Sequence, residues 1–278
     1  MSGSIDLTRR QLLVTVPAVG LGWALPSVFS VGPVLAADYD EPSPGPLAGS
    51  FPRHDPELVQ QVVGFSHAKF EELKPIVEAR PTLALATIDW GFGDWETALG
   101  AASHVGRRDI AEFLIGHGAR PDIFTFAMFG ELAVVRAFVE AHPALRQARG
   151  PHGISLLQHA RNGGDDAKET AEYLESFGDT DLRYVDEALG DEEKKALLGN
   201  YTFGPAERDV LVVGEGMGGV TIFRRGGSPR RLLHQGNLAF HPAGAPLVRV
   251  EFERGPAGIA RVRVTDADIF VTAERAAG

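Results

Sequence analysis

The chain has no cysteine among its 278 residues. That excludes a disulfide framework and a lipid-anchored cysteine, so packing alone must hold the fold. Positive charge is also scarce: 27 Lys and Arg face 37 Asp and Glu, a formal charge of −10. A nucleic-acid partner would want a basic face. The short pairs Arg107-Arg108, Arg224-Arg225 and Arg230-Arg231 are not interleaved with stacking aromatics and read as solvated. Gly-x-Ser-x-Gly, His-Glu-x-x-His and a long phosphate loop are all missing, so no complete catalytic motif is present and a non-enzymatic chain is expected. The remainder, 44% hydrophobic and 23% charged, is that of a soluble globular protein.

The amino terminus carries the most specific signal. Arg9-Arg10 precede an uncharged stretch from Gln11 to Ala37, closed by the small residues Val34, Leu35, Ala36 and Ala37. Thr8, Arg9, Arg10, Leu12 and Leu13 resemble a twin-arginine export signal. The resemblance implies a periplasmic or secreted protein, cleaved before Asp38, exported already folded and free of the membrane thereafter. Pro17, Pro26 and Pro33 disfavour the alternative, a permanent membrane helix. Cleavage would remove Asp6, Arg9 and Arg10, a net +1, leaving −11. Residues 38–56, rich in proline, glycine and serine, read as a linker.

In the middle, "IVEARPTLALA" (76–86) and "FVEAHPALRQA" (138–148) match at an offset of 62. "TALGAASHVGRRDIAEFLIGHGA" (97–119) has a Thr-x-Leu turn, a short helix, a glycine, and a second helix whose buried face is Ile110, Phe113 and Leu114. Thr97 is expected to cap the first of these helices, and Ser155 stands in its place in "GISLLQHARNGG" (153–164). This resembles an ankyrin repeat, although the family's Pro-His is absent from both copies. The resemblance implies four helix pairs at about 57–80, 96–118, 121–142 and 154–178. It implies a β-turn finger at 87–96 and a concave face built from Ser66, His67, His104, Val105, Met128, Phe129, Asn162 and Gly163.

The finger "TIDWGFGDWE" carries Trp90, Phe92 and Trp95, aromatic anchors suited to a binding hot spot unless they pack back as a core cap. The counterpart "RGPHGI" (149–154), with His152, is shorter. Asp89 and Asp94 lack the ligand spacing of a calcium loop. His67 and His104 would share one groove, but no carboxylate or third histidine shares their frame, so no metal and no cofactor is expected.

From Leu198 the period becomes two: Val248, Val250 and Phe252 alternate with Arg249, Glu251 and Glu253, and Val262 and Val264 with Arg261 and Arg263. "GPAG" (255–258) reads as the hairpin between them. Gly214-x-Gly216-x-x-Gly219 has the spacing of a dinucleotide loop, but a β-branched run follows it instead of a helix, which favours a hairpin turn. "SHAK" (66–69) reads as chance. "LLGNYTFG", "LAFHPAG" and "LVRVEFERGPAGIARVRV" resemble the small β domain appended to exported β-lactamase-like serine hydrolases, which supports fold alone.

The resulting expectation is an α+β multidomain chain. An ankyrin-repeat α-solenoid over 57–180 leads, through a connecting helix at 181–197, to a small antiparallel β-meander barrel or half-barrel over 198–276. It would bind a protein partner through Trp90, Phe92, Trp95, His104, Phe129 and His152. The alternative is a small-molecule-binding or hydrolase-like protein with its ligand in the barrel, near Tyr201, His234 and His241.

Overall fold

Asp55 begins the helical half: its carboxylate accepts the Glu57 amide at 2.8 Å, and Pro56 fills the first helical position, where no amide partner is needed. The computed structural model describes residues 49–181 and 184–276; the expected signal (1–37) and residues 38–48 of the expected linker lie outside them. Helices follow as α1 Pro56–Phe65, α2 Phe70–Ala79, α3 Ala98–His104, α4 Arg108–Gly116, α5 Ile123–Phe129, α6 Leu132–Ala141, α7 Leu156–Asn162 and α8 Lys168–Glu175. A hairpin of β1 Thr87–Asp89 and β2 Trp95–Thr97 precedes α3, and α9 Asp191–Leu197 leads into the strands. Thr97 and Ser155 cap α3 and α7 by accepting the amides of Gly100 and Gln158. No helix among the described residues is long and apolar enough to cross a membrane.

These helices do not form the ankyrin solenoid that the repeats imply. Each of α1 to α8 is only seven to ten residues long. Their apolar faces gather into two clusters, one around Val62, Leu73, Leu99 and Ile110, the other around Ile123, Val135, Leu156 and Leu174. The 62-residue repeat is real but local. Arg80 (φ −141°, ψ 78°) and His142 (φ −138°, ψ 83°) end α2 and α6 in the same way, each before a proline-led 3-10 turn. Proline drives the preceding residue out of the helical region and cannot continue an α-helix, so what recurs is a helix stop. Nor does the finger recur: at the second position stand one β-bridge, Arg149 to Ser155, and a 3-10 turn, Pro151–Gly153. The concave face is likewise not formed as expected, since Ser66 and Met128 are buried and Val105 is exposed.

One contact fixes the end of α3. Gly106 has φ +76°, and a Cβ there would lie 2.1 Å from the Asn162 carbonyl oxygen, while the Asn162 amide donates to the His104 carbonyl. Gly106→Ala combines backbone strain with a main-chain clash and is expected to destabilise the protein by about 3 kcal/mol, read from the urea midpoint.

The strands are β3 Gly199–Thr202, β4 Val210–Gly216, β5 Gly219–Arg224, β6 Arg230–His234, β7 Ala239–Pro242, β8 Arg249–Gly255, β9 Gly258–Asp266 and β10 Ile269–Arg275. They form a closed antiparallel barrel, with β10 returning to β3 through Glu274–Thr202 and Arg275–Tyr201. The period of two does what the pattern requires. Val250, Phe252 and Val262 enter the core, while Arg263 and Glu253 meet at 3.0 Å and Arg261 and Glu274 at 3.2 Å outside. The glycine-rich 214–219 segment is the β4–β5 hairpin, with Met217 and Gly218 both at positive φ in its turn. The class is α+β, as expected, with a barrel rather than a half-barrel.

Candidate metal centre

Glu96 is the central residue of β2. Strand alternation turns Trp95 and Thr97 outward and Glu96 inward, where its side chain is fully buried. A lone buried carboxylate is costly unless paired, and four groups answer it. Trp90, across the hairpin, donates its indole N–H to Glu96 Oε2 at 2.6 Å. His104, the last residue of α3, places Nε2 2.9 Å from Oε1. His67, just past α1, places Nε2 3.6 Å from Oε2. His152, in the 3-10 turn, places Nε2 3.4 Å from Oε1.

The rings are held from behind. His67 Nδ1–H donates to the carbonyls of Val63 and Gly64 at 3.1 and 3.2 Å, leaving Nε2 as its inward lone pair. His152 sits at φ 60°, unusual for a non-glycine residue, and Asp94 fixes it there. The Asp94 carboxylate accepts the His152 backbone N–H at 2.8 Å and Nδ1–H at 2.7 Å. Arg230, from β6 of the barrel and almost wholly buried, pairs with Asp94 and donates to the Ala243 carbonyl. An ion pair thus ties the finger to the barrel.

One ligand atom from each of His67, Glu96, His104 and His152 lies within 4.8 Å of the others. Glu96 Oε1 and His104 Nε2, both buried, stand 2.9 Å apart at an angle too poor for a hydrogen bond and meet that geometry with no other described residue, an arrangement suited to donors that converge on one ion.

Electrostatics match. Burial alone would raise the Glu96 carboxyl, but the facing imidazoles of His104 and His152 outweigh it and hold the group at about 2. Burial alone would lower His152, yet its hydrogen bond to Asp94 and the nearby Glu96 carboxylate carry it to about 9. His67 is lowered by burial, against the attraction of Glu96. Asp94 stays below the usual range although burial opposes it, through His152 and Arg230. His159, behind His104, is pushed down to about 4 by burial and stays neutral.

Comparison with protein-family models, curated proteins and solved structures returned no match.

Among the residues singled out by sequence, His104 and His152 come together here with His67. The expectation that no carboxylate or third histidine shares their groove is corrected: Glu96 and His152 both do. Glu96 lies two strand positions from Asp94, but nothing in its local pattern says which way it faces until the hairpin register is known. Trp90 and Phe92 are not free fingertips. Trp90 packs on the helical core and Phe92 on the barrel core, while Trp95 is 63% exposed. Phe129 lies outside the cluster, under the Arg108 guanidinium. Asp89 accepts the Gly91 amide and Asp94 serves His152, so neither forms a calcium loop. Tyr201, His234 and His241 bond to the backbone carbonyls of Leu197, Glu187 and Pro242.

Proposed function

We propose that the protein is a metalloprotein with one mononuclear centre, ligated by Nε2 of His67, His104 and His152 and by the Glu96 carboxylate. The observation that carries this reading is the convergence of these four donors, three of them held by a partner behind: backbone carbonyls for His67, Asp94 for His152 and Trp90 for Glu96. Metal-bound histidines and carboxylates are held in this way, and the outer partners tune affinity.

Three imidazoles and one carboxylate suit a first-row divalent transition metal, with zinc the first candidate, rather than calcium or magnesium, which take oxygen donors. Four protein ligands complete a tetrahedral zinc site; an ion preferring six ligands would keep positions for water or substrate. The edges of His67 and His152 are about a quarter exposed, which gives such a position access to solvent. In metal-free protein a proton on His152 Nε2 balances Glu96, and a metal would take its place.

Export on a twin-arginine route accords with this reading, because a chain exported folded can carry its metal with it. A protein partner would meet Trp95, the exposed ring of the finger.

The test is elemental analysis of purified protein, then of chelated protein reloaded with zinc, manganese, iron(II), cobalt(II) or nickel. One equivalent of one ion is expected, lost in Glu96→Gln and His104→Ala, with nitrogen-dominated ligation in the cobalt absorption spectrum. If no ion reaches half an equivalent, or if both variants load like the parent, the reading is overturned.

A further inference from the structure

A cavity of about 500 Å³ lies where the finger meets the barrel. Leu211, Ile222, Val264 and Val271 form its barrel wall, and Trp90 and Phe92 its finger wall. Leu211, Ile222 and Val264 belong to the barrel's own core, while the exposed Asp89, Arg224 and Ile269 stand at the rim, so the cavity is a cleft open to solvent with an apolar floor. The finger is shaped to meet it: Gly91, Phe92 and Gly93 all have positive φ, at 106°, 59° and 73°, which turns the Phe92 ring against the barrel core. The two glycines adopt this conformation freely, whereas Phe92, a residue with a side chain, holds it because its surroundings fix it.

The polar groups in the wall narrow the choice of ligand. Arg230 is 94% buried, its two Nη atoms are committed to Asp94 and Ala243, and its Nε–H has no partner among the described residues. That Nε is itself enclosed by protein, and the polar side chains that line the cavity beside Arg230 are Gln60, Asp89, Arg224, Ser228 and Asp266. The charges are not those of an anion site. Arg224 is paired with Asp209 and Arg230 with Asp94, while Asp89 and Asp266, also in the wall, have no cationic partner among the described residues. A carboxylate or phosphate would meet net negative charge.

We propose that this cavity binds one neutral, largely apolar small molecule of about the size of a fused bicyclic ring system, held by contact with Trp90, Phe92, Leu211, Ile222, Val264 and Val271. Sites of this volume, apolar with one or two placed polar groups, are the usual form of small-molecule pockets. The ligand differs in place and chemistry from one held by Tyr201, His234 and His241, which bond to backbone. Binding goes beyond the metal reading and does not require it, although Trp90 and Arg230 link the two sites.

The probe is the neutral naphthyl ketone Prodan, titrated into chelated and into zinc-loaded protein, with its emission followed. Saturable one-to-one binding with a blue shift is expected in both forms. Val271→Trp, which fills the cavity from β10, is expected to weaken binding at least tenfold while its thermal midpoint shows that it folds. 2-Ethylnaphthalene, neutral and apolar throughout, should displace Prodan, and the anionic dye 1-anilinonaphthalene-8-sulfonate should bind more weakly than either. No saturable binding, equal binding to folded Val271→Trp, or preference for the anionic dye would overturn the proposal. Dye binding with no metal uptake would sink only the metal reading, and metal uptake with no dye binding only this one.

Discussion

Zinc added to chelated protein is expected to raise the thermal midpoint by about 10 °C at pH 8. The size follows from linkage: free metal at a thousandfold above its dissociation constant stabilises the folded state by about 4 kcal/mol. For a chain of this size each kcal/mol moves the midpoint by roughly 2–4 °C. The gain should also depend on pH with a definite sign. In metal-free protein the His152 pKa stands at about 9, above its unfolded value. Its stabilisation is therefore full below about pH 6.5 and is lost as pH rises through 9. A metal bound at Nε2 would take that proton's place, so the loaded protein would not share this loss. The interval between the two midpoints should widen from pH 6.5 to 9, and calorimetry at pH 7.5 in buffers of different ionisation enthalpy should find about one proton released per zinc. A midpoint unmoved by every ion tried, or an interval that narrows with pH, would count against the centre.

Asp94→Asn is expected to cost about 3–5 kcal/mol of stability and to weaken metal binding by about 10–100-fold. Two separate losses add. Arg230, buried against Asp94, is left without its counter-charge, and breaking one partner of a buried pair costs several kcal/mol. His152 also loses the carboxylate that holds its ring, and outer-shell changes of this kind typically cost one to two decades of affinity. The double variant Asp94→Asn/Arg230→Met separates them. Removing the stranded charge should restore most of the stability in urea melts while the affinity, read by competition with a chromophoric chelator, stays low. If stability and affinity recover together, Asp94 acts on the metal only through the fold.

Patterns that depend on neighbours in the chain were legible beforehand. The strand alternation around Val250, Phe252, Val262 and Val264 specified which residues enter the barrel, because one face of each strand is buried. Thr97 and Ser155 declared themselves as helix caps, since a cap is a contact with an amide three residues on. The glycine-rich 214–219 stretch could be kept from the dinucleotide class because the residues after it cannot start a helix. The same local reading misled where a repeated helix stop resembled a repeated fold. The similarity of 76–86 to 138–148 encodes a proline-led turn, and how the helices then pack is outside its reach.

The candidate site was beyond such reading. His67, Glu96, His104 and His152 come from the end of α1, from β2, from the end of α3 and from a turn before α7, separated by 29, 8 and 48 positions. No fixed spacing joins them as it does in a His-Glu-x-x-His helix, and the repeat frame put only His67 and His104 in one groove, without Glu96 or His152. In the sequence Glu96 is the last residue of a finger whose aromatic residues suggest an outward-facing surface.

By itself the sequence determined the period of each segment, its caps and turns, and a chain with no cysteine to cross-link it. Only the tertiary structure decided that the finger folds inward, that barrel residue Arg230 anchors Asp94, and that three histidines share one carboxylate. The physical reason is range. Propensity and alternation act over a few residues, whereas convergence of these donors depends on the β1–β2 register, the packing of α3 on α7 and closure of the barrel, each fixed only when the whole core forms.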